Sequence, residues 1–557
     1  MDAYFDLGTQ TRQISTDSAE AQLWFDRGLN WCFAFHQEES VRCFQQVIHF
    51  DPHCALGYWG VAYAAGPNYN LCWEDFAPNE LRQALAETHH HIQEALRRVS
   101  QASPVERALI HALTKRYQAP VSTDMAELNT WNDGYAAAMR RIFATFPEDD
   151  DLAYLTAEAF MCRTAWKLWD LVRREPAEGA DTLEALSIVE AALQRGEMAG
   201  QIPHPGLLHL HIHLLEMSPT PERALPTSDQ LRYLVPEAGH LLHMPSHIYM
   251  LCGQYEKALE ANTDAIIADR KYAAYHEIIG LHTLSRCHNY QFKLHAGMML
   301  GRFEPALAAA EEMISIIPWA GLTHEQDYLA HTLDGYSAMK AHVFIRFGKW
   351  SEIIVEPLPT EPDVYRFTTA MWHYAKGLAY AATHQITQAE HEQQRFEAAF
   401  ARVSTSRRLF NNTCRDILAV AQAMLKGEVE YRKENYEAAF AHLHHSVELY
   451  DGLLYTEPWA WMQPVRHALG ALLLEQGHVV EAEQVYRADL GLDDTVVRPS
   501  QHPDNIWSLH GYVECLERQN KTEELTIMKG KLEKAQAAAD AEIQVSCFCR
   551  LTPHCCD

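Results

Sequence analysis

A short phrase recurs along this chain and constrains its fold more than any other feature. Glycine, an aromatic two positions on and alanine three beyond that stand at Gly253, Tyr255 and Ala258, and again at Gly301, Phe303 and Ala306. Weaker copies follow at Gly348 with Trp350, at Tyr436 with Ala439, and at Gly477 with Ala482. An earlier one runs from Glu39 to Gly66, where Phe44, Val47, Ile48 and Asp51-Pro52 precede Tyr58-Trp59-Gly60. The glycine is expected to let two helices approach, the aromatic to pack between them, and the alanine to seat the next helix. A single pair of this kind cannot bury its apolar face alone, so copies must stack into a continuous core. Between the joints, apolar residues fall three or four apart, as at Leu152, Leu155 and Ala159 or at Leu443, Val447, Tyr450 and Leu454, which is helical spacing. Alternating strand patterns are nearly absent, and prolines gather at turns such as Pro203-His204-Pro205 and Pro219-Thr220-Pro221. The expected fold is all-α: an α-solenoid of antiparallel helix pairs over residues 1–545, its last helix from Glu523 to Ile543, with a cysteine-rich tail over 546–557.

Composition excludes some partners. Of the 557 residues, 48% are hydrophobic and 22% charged, and the net charge is −28. That is ordinary globular composition, and the acidity argues against nucleic acid or an anionic membrane surface, each of which calls for clustered Lys and Arg. No run approaches the roughly 18–20 apolar residues that span a bilayer, and Met1-Asp2-Ala3-Tyr4-Phe5-Asp6 lacks the basic flank of a signal peptide. Thirteen cysteines are too dilute for a disulfide framework, so a cytoplasmic chain with reduced thiols is expected.

Histidines are the chemical signal. There are thirty-two, concentrated between His204 and His295. In His209-x-x-x-His213-x-x-Glu216 the spacing puts two imidazoles and a carboxylate on one helical face, with His211 on the opposite one. These are ligands for zinc, iron, copper or manganese. His240-x-x-His243-x-x-x-His247 repeats the face-sharing, although Pro245 must kink or start a helix there. Neighbouring helices of such an array pack antiparallel, so the two faces can meet. His288 lies on a third helical stretch. His204, His276 and His295 read as packing residues, as do Trp59, Trp73, Trp166 and Trp169. Asn68 and Asn70, between Gly66-Pro67 and Tyr69, read as turn chemistry. Glu158 is a further candidate acid that the spacing does not connect to the histidines.

The repeated phrase resembles the tetratricopeptide repeat, although copies 48 residues apart exceed that repeat's period of about 34. A closer resemblance rests on His209 through Glu216-Met217, on Gly239-His240-Leu241-Leu242-His243-Met244-Pro245-Ser246-His247-Ile248-Tyr249, and on Asn262, Asp264, Asp269, Tyr272 and His288-Asn289. It extends to Tyr58-Trp59-Gly60, Gly66-Pro67-Asn68-Tyr69-Asn70, Trp372-His373-Tyr374-Ala375, Asn505-x-Trp507 and Ser546-Cys547-Phe548-Cys549. On these residues the chain is similar to a bacterial and fungal subfamily of tetratricopeptide proteins related to tetratricopeptide repeat protein 38. His36-Gln37 departs from the Asn-His expected in relatives. The resemblance implies the solenoid fold and no particular reaction.

The sequence therefore predicts a metal-dependent enzyme acting on a small molecule, with redox or oxygen chemistry at iron or copper preferred to zinc hydrolysis because H-E-x-x-H is missing. His209, His213 and Glu216 are expected to hold the metal, His243 and His247 to complete its shell or a second site, and His240 or His288 to move protons. In the tail, Cys547 and Cys549 are expected either to bind metal and line the histidine cavity or to form a redox pair, while His554, Cys555 and Cys556 read as an exposed end. The alternative is a scaffold that binds a protein partner through its helix pairs.

Overall fold

Helices fill the chain because its apolar residues keep helical spacing from one capped start to the next. The computed structural model describes residues 4–276, 279–324 and 327–550. Among the described residues the only strands are two short hairpins, Trp169–Asp170 with Glu175–Pro176 and Arg408–Leu409 with Asn412–Thr413. None of the described helices is long and apolar enough to cross a membrane. The chain falls into two compact units, Met1–Ile248 with Ile267–Tyr272, and Tyr249–Ile266 with Ala273–Asp557.

The first unit begins with α1 (Ala19–Phe33), α2 (Gln37–Phe50), α3 (Ala55–Ala64), α4 (Pro78–Arg98), α5 (Pro104–Leu113) and α6 (Met125–Thr145). It continues with α7 (Asp150–Met161), α8 (Thr182–Met198), α9 (Pro205–Glu216), α10 (Leu225–Leu231), α11 (Gly239–His243) and the start of α12 (Pro245–Leu251). Side chains start several of these helices by accepting a free backbone N–H: Ser18 from Ala21, Asp124 from Ala126, Asp149 from Leu152. Phe44 wedges between α1, α2 and α3, so close that a Cβ at Gly60 would stand 2.4 Å from its ring and one at Gly28 2.8 Å. That is the role expected of the aromatic in the earliest copy of the phrase.

In the second unit successive helices pair, as Leu281–Leu300 does with Phe303–Ile316 and Arg366–Ala382 with Ile386–Ala401. The phrase glycines do more here than admit a neighbour. Gly301 has φ +73° and closes its helix, with Gly301 N–H donating to Met298 O and Arg302 N–H to Gly297 O, the left-handed helix end that favours glycine. Gly477 has φ +82° with nothing within 4 Å of its Cβ direction, so there conformation alone selects the residue. The last helix runs Thr522–Ala538, five residues short of the expected end. Asp540 leaves it to accept from the backbone N–H groups of Phe303 and Glu304 at 2.6 and 3.2 Å.

Candidate metal centre

α9 is buried along its whole length, with His209, His211, His213 and Glu216 set among its leucines and Ile212, which places it at the centre of the first unit. His204 caps it, its Nδ1 accepting from Leu207 N–H, and Pro205 occupies the first turn. The helix seats tightly: a Cβ at Gly206 would stand 2.7 Å from Phe33 and from Tyr154. His209, His213 and Glu216 are fully buried. Pro245 divides the second histidine segment, so that His240 and His243 lie on α11 and His247 on α12.

The hydrogen bonds fix which ring nitrogen of each histidine faces the others. His209 Nδ1–H donates to the carbonyl of Phe33 at 2.6 Å. His213 and His247 each donate Nδ1–H to Glu216, to Oε1 and Oε2 respectively, both at 2.8 Å. A neutral imidazole that donates from Nδ1 keeps its lone pair on Nε2. His240 Nε2 stands 3.2 Å from His209 Nε2, and His243 Nε2 stands 2.8 Å from His247 Nε2. Two imidazole nitrogens bound to one tetrahedral metal at ~2.05 Å would be ~3.3 Å apart, so the His209–His240 spacing suits a shared ion. One ligand atom each from His209, His213 and His240 gathers within 4.8 Å of the others, as does one each from His213, Glu216 and His247. Burial holds His209 down at about 3 and His240 well below the usual imidazole range, which keeps both neutral, the form that binds metal.

Residues from distant loops close over this group. Phe35, in the turn between α1 and α2, has φ +50°, uncommon for a bulky side chain. Its ring lies 4.4 Å from that of His209 and stacks on His213 and His240 at 5.8 Å each. Tyr69 packs on His213 at 4.9 Å and on Trp166 at 5.3 Å, with Trp166 itself 6.1 Å from His213. The turn before it is local chemistry, as expected: Asn68 Oδ1 accepts from Asn70 N–H, and Asn68 pairs with Leu71. Trp59 and Trp73 are core, and Trp169 donates to Leu214 O at 2.7 Å. His211 faces away from the cluster toward Thr227 and Glu190.

The structure therefore brings together His209, His213, Glu216, His240, His243 and His247. His240, expected to move protons, stands among the nitrogens that would hold an ion. His288 belongs to the second unit, where its Nδ1 meets Gln291 Oε1 at 3.2 Å and its ring contacts Phe292.

Cys547 and Cys549 are joined to each other in a disulfide. They line a small cavity of the second unit with Arg346, Tyr374, Glu428, Gln463 and His467. Paired in this way, the two sulfurs are not free thiolates. His554, Cys555 and Cys556 lie outside the described residues.

No family model and no curated protein matches the chain. Solved structures similar to it include the human IFIT1 dimer with m7Gppp-AAAA, at 10% identity and TM-score 0.31 over 94% of this chain and 91% of that one. Yeast Tom70 is similar at 9% and 0.26 over 92% and 99%, and the tetratricopeptide domain of P58(IPK) at 14% and 0.17 over 77% and 99%. The fold is an all-α array of paired helices. At these identities and TM-scores the likenesses carry no statement about what the chain binds.

Proposed function

We propose that the first unit holds a transition-metal ion on His209, His213 and His240, and that the site acts on a small molecule. The observation that carries this reading is the fixing of His209 by Phe33 O and of His213 by Glu216, which leaves the lone pair of each neutral ring on Nε2. Histidines that bind metal are oriented in this way by a carbonyl or carboxylate on the far nitrogen. Three neutral imidazoles suit iron, copper or zinc, and a bound ion would supply Lewis-acid or, for iron and copper, redox chemistry. The chain's own contribution is to fix ring orientation through Glu216, to cover the site with Phe35, Tyr69 and Trp166, and to set a proton path along His243, His247 and Glu216. Placement on the subfamily related to tetratricopeptide repeat protein 38 belongs to the same proposal and rests on the His-Met-Pro-Ser-His segment and the residues around it.

Titration of chelator-treated protein with Zn(II), Fe(II) and Cu(II) tests the site. One tight equivalent that raises the unfolding temperature, and is lost in His209→Ala and His240→Ala, is expected. Equal binding by all three proteins would end the proposal.

The second reading is protein interaction, supported by the helix pairs of the second unit, an architecture that presents a continuous face to a partner. It predicts partner retention on the immobilised chain that survives both histidine substitutions.

A further inference from the structure

The first unit buries a second polar group that the histidine site does not use. Arg116, just after α5, is 0% exposed. Its Nε donates to Asn132 Oδ1 at 3.1 Å, while Nη1 and Nη2 meet no acceptor among the described residues beyond the neighbouring Tyr117 hydroxyl. The Tyr117 hydroxyl, equally buried, lies against the guanidinium, and the Tyr135 hydroxyl makes no hydrogen bond among the described residues, its ring centre 5.2 Å from the guanidinium carbon. A guanidinium stays charged at any pH a protein meets. A dry interior retains such a cation only where something answers its donors.

Glu158 on α7 is the carboxylate whose charge reaches Arg116, yet it bonds elsewhere. It accepts from Cys162 Sγ at 2.8 Å, from the Tyr63 hydroxyl at 3.4 Å and from the Tyr69 backbone N–H. The loop carrying Tyr69 presses directly on this group, since a Cβ at Gly66 would stand 1.8 Å from the Tyr117 hydroxyl. One short loop thus touches both places, with Tyr69 bonded to Glu158 through its backbone and packed on His213 through its ring.

We propose that Arg116, Tyr117 and Tyr135 form the receptor for the carboxylate of a small organic acid, held beside the histidine site as its substrate. The two Nη groups present parallel N–H donors that match the two oxygens of a carboxylate, and the tyrosine hydroxyls add donors from either side. A single arginine with Glu158 nearby suits a monoanion; a phosphate dianion would leave negative charge unbalanced. Burial raises the pKa of Glu158, so it is the group that takes up a proton when the second carboxylate enters. The substrate role rests on the metal reading, whereas the binding itself does not.

The test uses the full chain, stripped of metal with a chelator, titrated with sodium formate, acetate and benzoate against their amides and sodium chloride. Saturable binding of at least one carboxylate at one per chain is expected, with the amide at least tenfold weaker because it cannot answer both Nη groups. Arg116→Gln should abolish binding and Arg116→Lys weaken it. Glu158→Gln should tighten it by removing the competing charge, an outcome that a purely structural role for these residues does not give. Should Arg116→Gln fail to fold, the weakening in Arg116→Lys and the tightening in Glu158→Gln decide. No saturable carboxylate binding, or binding unchanged in Arg116→Lys and Glu158→Gln, overturns the proposal. So does a crystal structure of the acetate-soaked chain with only ordered water on Arg116. Carboxylate binding by a chain that takes up no metal when Zn(II), Fe(II) and Cu(II) are each restored would leave this inference standing and remove the metal reading. Binding seen only after metal is restored, and lost in His209→Ala, would make the metal the receptor and overturn the inference.

Discussion

Replacing Glu216 by glutamine separates an organising carboxylate from a merely buried one. Glu216 is fully buried and accepts one Nδ1–H from His213 and one from His247, each at 2.8 Å. Glutamine keeps one acceptor and turns a donor on the other histidine. His247 can answer by moving its proton to Nε2, which then donates to His243 Nε2, 2.8 Å away, provided that His243 moves its own proton to Nδ1. What is lost is the charge assistance of two bonds, worth ~1 kcal/mol each as the difference between a charged and a neutral partner. The metal-free first unit should therefore lose ~2 kcal/mol, a fall of ~4–8 °C in its unfolding temperature for a unit of this size. Metal affinity should fall about 10–100-fold, the usual cost of removing a carboxylate behind a histidine ligand. Calorimetry of the metal-free protein gives the first number and competition against a chromophoric chelator gives the second. An unfolding temperature that falls with affinity unchanged would refute the reasoning, because Glu216 would then support packing alone.

Other outcomes follow from single contacts. Phe35 holds φ +50°, so Phe35→Gly should be more stable than Phe35→Ala by ~1 kcal/mol in urea unfolding, while both weaken metal binding by uncovering the histidines. In the second unit, His467 bridges a buried pair, accepting from Arg346 Nη1 at 2.7 Å and donating Nε2–H to Asp489 Oδ2 at 2.9 Å. Burial pushes it down to about 4, below the usual imidazole value, so the unfolded chain binds the proton first. The stability this neutral histidine contributes is full above pH ~6.5 and falls by ~3 kcal/mol as the pH drops through the folded value; His467→Gln should flatten that limb of a pH–stability curve. Cys547→Ser/Cys549→Ser should leave metal content unchanged in elemental analysis, because the pair is a disulfide in the second unit.

Much of the site could be read from local sequence. The spacing of His209, His213 and Glu216 on a single helix survives into the structure because α9 runs unbroken across it. His240, His243 and His247 share a face on paper. Pro245 instead begins a new helix between the last two, and proximity is kept by the turn, with Ser246 Oγ donating to His243 O at 2.6 Å. Phe33, Phe35, Tyr69 and Trp166 carry no local signal, because the long-range packing of α1 and the 66–71 loop against α9 brings them to the histidines. The burial of Arg116 was equally invisible, since it too depends on packing between distant segments. The phrase glycines marked the right joints, although left-handed helix ends explain them as much as close approach does.

The measurement nearest the central claim is metal analysis joined to X-ray absorption on tag-free protein. The account predicts about one iron, copper or zinc per chain, with three imidazole nitrogens at ~2.0–2.1 Å in its first shell, and loss of the ion in His209→Ala/His240→Ala with the fold intact. A protein that carries no ion, and binds none with three imidazoles when offered each metal, would contradict it and leave the histidines as a packed polar network.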